Sequence, residues 1–201
     1  LDESENLPDA VKASLASVGD KFVVVMPSSV VRGLYESTGA DYVSAVAELI
    51  RSIRATTGLA VVIAPHSYRV GHPEGRMNDG PVCQQVAAAL SGDSMVVGID
   101  EDLSAGELRR LIGMGEVLVT SRFHAMISGL STCTPTVVVG WSHKYREVLD
   151  DFGLAEFGMD STALSHPEEI VEQVQRCINN KANIEAQIQQ ALPAVKERSA
   201  L

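Results

Sequence analysis

Residues 116–140 read EVLVTSRFHAMISGLSTCTPTVVVG, and the two apolar runs that bracket this stretch decide the fold. VLVT at 117–120 and TVVV at 136–139 are short and β-branched, with no solvated face, as strands covered on both sides must be. Between them SRFHAMISGL at 121–130 has the length of a helix. Strand, helix, strand within 25 residues is the unit that links parallel neighbours by a right-handed crossover.

Working outward, the same kind of run recurs at 22–26, 59–64 and 95–99, and helical patterns fill 41–56, 80–90, 104–112 and 144–150. Strand and helix alternate, so the expected fold is α/β: a doubly wound parallel sheet of at least five strands in the order 3-2-1-4-5, with helices on both faces. Local signals set the phase. Asp79 is expected to cap the helix after it, Ser104 with Glu107 to form a capping box, Ser121 to cap the helix at 121–130, and His166-Pro167-Glu168-Glu169 to open another. The tail at 183–200 is helical in composition, with Pro193 expected to kink or break it. Residues 1–201 read as one domain, with a C-terminal helical tail over about 167–201.

Composition narrows the function. The chain of 201 residues is 45% hydrophobic but only 4% aromatic, so its core must be Val, Leu, Ile and Ala. A formal net charge of -10 disfavours nucleic acid and anionic membranes as partners, because both need a basic field. No run approaches a membrane span, and LDESENLPDA at the start lacks the order of a signal peptide. A cytoplasmic location, at most peripheral to the inner membrane, is expected. The chain begins at Leu1, not Met, which predicts sequence upstream. Cys83, Cys133 and Cys177 are widely spaced, which predicts reduced structural thiols and no disulfide framework.

In an open α/β sheet, ligands bind beyond the carboxyl ends of the strands. The residues there are Pro27-Ser28-Ser29, Pro65-His66-Ser67, Asp100-Glu101-Asp102, Ser121-Arg122-Phe123-His124 and Gly140-Trp141-Ser142-His143-Lys144. Arg122 and His124 fall in the first turn of a helix, where free N–H groups already favour an anion. Cations there oppose the helix dipole, which makes sense if a phosphate or carboxylate is shared between them. From spacing alone an equal reading stands beside it: Arg122 pairs with a neighbouring carboxylate, and His124 is a satisfied core histidine. Arg32 reads as a second phosphate ligand or a solvated loop arginine, and His66 as an acceptor-positioning or a structural residue. Asp100-Glu101-Asp102 reads as a solvated acidic turn, because consecutive side chains diverge. No metal site is expected, and the lack of G-x-G-x-x-G after the first strand disfavours dinucleotides.

The run SRFHAMISGLSTCTPTVVVGWSHKY at 121–145 closely resembles the S-R-[LF]-H-A … G-x-P-x-[VI] … Y-x-x-K pattern of polysaccharide pyruvyl transferases, which move a pyruvyl group from phosphoenolpyruvate onto two sugar hydroxyls as a cyclic ketal. Weaker matches are Pro65-His66, Asn78-Asp79 and Gly39-Ala40-Asp41-Tyr42. Trp141 stands where tyrosine is usual, and Thr134 precedes Pro135 where glycine is common. The resemblance implies a Rossmann-like domain, the C-terminal half of a two-domain architecture like that of GT-B glycosyltransferases. No G-N-x-G-D segment of an N-terminal half is present, so an N-terminal half-domain is an expected partner and the isolated chain is expected to be inactive without it.

The same resemblance implies a transferase in exopolysaccharide or cell-envelope biosynthesis, with phosphoenolpyruvate as donor substrate, no cofactor, and a sugar or polysaccharide acceptor. Arg122 and His124 would occupy the phosphoenolpyruvate site, with Lys144 matching the family's lysine and Ser121, Arg32 and His66 as further substrate contacts. Arg122 suits two-point binding of an anion, Lys144 supplies a mobile charge, and His124 is the proton carrier. Whether His124 protonates the methylene, deprotonates a hydroxyl or stabilises departing phosphate stays open at this level. Two other functions compete: a nucleotide-sugar glycosyltransferase or epimerase, and a non-catalytic binding module.

Overall fold

A computed structural model describes residues 6–73, 75–140 and 142–199. Its centre is one six-stranded sheet built from β1 (Phe22–Met26), β2 (Ala60–Ile63), β3 (Val96–Gly98), β4 (Val117–Thr120), β5 (Thr136–Gly140) and β6 (Gly158–Asp160). The order is β3-β2-β1-β4-β5-β6, and every pairing is parallel. The five expected strands take the expected order. β6 adds a sixth at the edge; GMD is three residues with a glycine, too short to carry a pattern.

Nine α-helices are present among the described residues: α1 (Asp9–Val18), α2 (Ser29–Glu36), α3 (Tyr42–Thr57), α4 (Gly80–Ala89), α5 (Ala105–Met114), α6 (Phe123–Ser131), α7 (His143–Asp151), α8 (Pro167–Asn179) and α9 (Lys181–Ser199). Alternation along each strand sends side chains to two separate cores. Val23, Val25, Val61, Ile63, Val117 and Val119 join the helices α3, α4 and α8 on one face. Phe22, Val24, Met26, Val62 and Leu118 meet α1 and α5 on the other. Both faces are covered over the four inner strands β1, β2, β4 and β5, which are buried along their length and apolar apart from Thr120 and Thr136.

Two local expectations are corrected. Ser121 does not cap α6: Arg122 takes the N-cap position, with φ -111 and ψ 129, and its N–H donates to Thr120 Oγ1 at 3.0 Å. Pro193 does not break the C-terminal helix: it lies inside α9, which continues to Ser199. A proline removes one backbone donor and crowds one carbonyl, and α9 is held by Ile184 and Ile188, both buried in the core before the proline is reached. The expected Ser104–Glu107 capping box is present. Helices α1 and α2 were not marked by the sequence pattern; α1 follows Pro8 and has no side-chain cap.

Candidate functional site

The order of strands reverses between β1 and β4, the kind of point in an open α/β sheet where ligands bind. At this point lies Asp79, immediately before α4 and wholly buried. It makes no capping bond to α4. Instead its carboxylate accepts from the Ser29 N–H at 2.8 Å, Ser29 Oγ at 3.1 Å and the Ser67 N–H at 3.2 Å. Arg122 completes the set, with Nε at 2.8 Å from one oxygen and Nη2 at 2.6 Å from the other. Nη2 also donates to Ser29 Oγ at 3.1 Å and to the Arg76 carbonyl at 2.7 Å. One edge of the guanidinium fork is therefore filled from within the protein. Nη1 is the nitrogen with no partner among the described residues.

The imidazole of His124 lies in the first turn of α6 and is exposed. It faces His66, at the end of β2, with ring centroids 6.3 Å apart and planes 14° from parallel. Phe123 extends the row, 5.8 Å from His124 and 5.6 Å from Tyr145. The Tyr145 hydroxyl donates to the Ser121 carbonyl at 3.2 Å, so the start of α7 is tied to the end of β4. Burial pushes the His66 imidazole down to about 4; the carboxylate of Asp79 opposes this, while His124 and Arg122 add to it. His66 is thus neutral near pH 7.

The other expected residues are placed as follows. Ser121 is buried beside the Tyr42 hydroxyl, which also accepts from the Ser28 N–H at 3.0 Å. Arg32 reaches from α2 to Glu36 at 2.9 Å and to Gln85 of α4 at 3.0 Å. Lys144 stands exposed in the first turn of α7, joined to neither the Arg122 nor the His124 group by a side-chain bond among the described residues. Beside it, at the carboxyl ends of β5 and β6, a cavity of about 210 Å³ is lined by Ser142, His143, Arg146 and Asp160. Asp100 accepts from Tyr68 and Gln84, each at 2.6 Å. Trp141 lies outside the described residues.

Sequence reasoning missed the work of Asp79 and of the residue before it. Asn78 is 3% exposed, and its side chain donates to the carbonyls of Arg69, His72 and Pro73 at 3.2, 2.9 and 3.1 Å while accepting from the Arg69 N–H at 3.1 Å. That one amide holds the loop between β2 and α4 closed. An Asn-Asp pair before Gly-Pro looks like a helix start, and nothing local distinguishes a cap from an anchor. In the turn before Pro135, Cys133 and not Thr134 adopts positive φ, at 58°, the region a glycine enters without cost.

The model of one protein family, described as polysaccharide pyruvyl transferase, matches residues 11–143. Compared by sequence with curated proteins, the chain finds no match. Solved structures share its fold. An α,α-trehalose-phosphate synthase (UDP-forming) from Burkholderia vietnamiensis superposes with a TM-score of 0.61 at 10% identity, covering 94% of this chain and 44% of that one. UDP-GlcNAc 2-epimerase from Methanocaldococcus jannaschii, in complex with UDP-GlcNAc and UDP, gives 0.57 at 14%, covering 86% and 42%. The chain thus spans less than half the length of these GT-B-type proteins, and at such identity the likeness is one of fold.

Proposed function

We propose, for a chain that belongs to the polysaccharide pyruvyl transferase family, that it carries the donor side of a pyruvyl transfer from phosphoenolpyruvate to two hydroxyls of a sugar. The observation that carries this reading is the exposed imidazole of His124 at the start of α6, inside the matched region and facing a neutral His66 across the strand ends. In the transfer, the methylene carbon of phosphoenolpyruvate gains a proton and a sugar hydroxyl adds to C2 as it loses one. The C2–O bond to phosphate then breaks, and the second hydroxyl closes the ketal and releases its proton. His124 is the group that moves protons, because a histidine changes charge near neutral pH. Arg122 meets the donor through Nη1, and Lys144 adds a mobile positive charge from α7. His66, held neutral, orients His124 or a sugar hydroxyl without adding charge. The polymer acceptor contacts sequence beyond this chain, and an envelope or exopolysaccharide product made on the cytoplasmic side suits the family.

The test uses the full-length protein. His124→Gln should lower kcat by about 100-fold while changing phosphoenolpyruvate affinity only modestly, since a positioned acid–base group acts mainly in the transition state. Steady-state transfer to a sugar diol and calorimetric titration of phosphoenolpyruvate are the measurements. Near-normal turnover by the variant removes His124 from the chemistry. Protection from thermal unfolding by a UDP-sugar, with none by phosphoenolpyruvate, would replace the reading with a nucleotide-sugar enzyme.

A further inference from the structure

The pairing of the buried Asp79 with the half-buried Arg122 gathers more partners than a helix start requires. Asp79 gathers donors from the chain after β1, from the loop after β2 and from the N-cap of α6, which are three separate strand ends. Two of these donors are backbone N–H groups, so the carboxylate is fixed in place independently of Arg122. Its two oxygens then meet Nε and Nη2 in the parallel fork geometry that gives a guanidinium both strength and orientation. Nη2 is saturated by Asp79, Ser29 Oγ and the Arg76 carbonyl. Arg122 therefore cannot close its Nε–Nη2 edge on an incoming anion.

From this we infer that Asp79 is a positioning residue for the reaction proposed above. It holds Arg122 by one edge, so that the guanidinium offers Nη1 alone to the donor. It also pins the N-cap of α6, two residues before His124, and so fixes where the imidazole stands against His66. A second consequence concerns charge. The paired carboxylate offsets the positive charge of Arg122, so the charge complementarity for a trianionic donor falls to other cations, Lys144 among them, with Arg122 contributing direction.

The inference rests on the pyruvyl-transfer reading, and the test separates the two. In the full-length protein Asp79→Asn keeps the shape of the side chain but loses one acceptor charge, and Asp79→Glu keeps the charge but shifts it by one methylene. Asp79→Asn should lower kcat by at least about 10-fold with KM for phosphoenolpyruvate within about threefold. Asp79→Glu should recover part of the loss. A second measurement needs no activity: the Arg122 Nε–H resonance in ¹⁵N NMR, sharp and slowly exchanging when the fork is engaged, should broaden or vanish in Asp79→Asn. The variant pair Asp79→Asn and Arg122→Gln, combined, should be no worse than Arg122→Gln alone, because the two act as a unit. Turnover within twofold of the parent in Asp79→Asn, or a loss fully recovered by cooling, would overturn the inference. If Asp79→Asn does not fold, the same readings on Asp79→Glu decide. If the parent transfers no pyruvyl group, the proposed function fails, and the Nε–H signal decides the positioning role by itself: unchanged in the variant, it overturns that role.

Discussion

His66 illustrates how a single side chain reports its surroundings. Its imidazole is desolvated at the end of β2, which is the largest influence; Asp79 pulls the pKa up, His124 and Arg122 each push it down by less, and the net result is a fall from 6.5 to about 4. Because the folded value is depressed, the unfolded chain binds the proton more readily. The stabilisation is complete above pH 6.5 and is lost as the pH falls from there to about 4. His66→Gln should therefore flatten the fall in stability across that window by roughly 2 kcal/mol, read from urea midpoints at pH 7 and pH 4.5. An unchanged slope would mean that the imidazole is solvated. Cys133 shows a different case, a residue whose backbone is unusual; its φ of 58 sits where a side chain costs about 1 kcal/mol, and burial pushes its thiol up as well.

At the scale of elements, the position of α6 is set by Gly129. A Cβ there would overlap Thr136 Oγ1 and lie 2.9 Å from Leu118 Cδ2, so the helix rests on β4 and β5 with no room for a methyl group. Thr136 cannot give way, since it is buried and donates to the Thr134 carbonyl at 2.9 Å. Gly129→Ala should cost roughly 1–3 kcal/mol in urea denaturation, because α6 must lift from the sheet. The shift would also move His124 at the other end of the helix, so activity should fall more than the lost stability accounts for. Gly113→Ala in α5 is the control. Its nearest neighbour would be an ordinary 3.5 Å away, and removing a helical glycine there should stabilise by about 0.5–1 kcal/mol.

Across the whole molecule, two cores share one sheet, and neither face can be stripped without exposing the strands that the other face uses. Unfolding should then be a single event. Cys83 of α4 and Cys177 of α8 are both buried on the same face, and burial pushes the Cys177 thiol up to about 12, which leaves almost no reactive thiolate at pH 8. With a disulfide reagent under native conditions Cys83 and Cys177 should stay unlabelled. In rising urea both should label together, at the midpoint of the far-UV circular dichroism change. Labelling of either well below that midpoint would show that α4 or α8 opens as a separate unit.

The apolar runs alone determined the class of fold, the first five strands and their order, because a strand buried on both faces must be apolar along its length and a parallel neighbour needs a helix between. They also marked the strand ends where His124, His66 and Arg122 lie. Residues whose role is local, such as Ser104 and Glu107, were legible for the same reason: both partners are within one turn. The short edge strand β6 was not, since its place depends on pairing with β5 and not on its own three residues. Least legible was the arrangement inside the site. Asp79 and Arg122 are 43 positions apart, and Asp79 has the sequence surroundings of a helix cap. Only the packing of β1, β2 and β4 side by side brings its carboxylate under the guanidinium, and a buried charge must take whichever opposite charge the fold delivers to it.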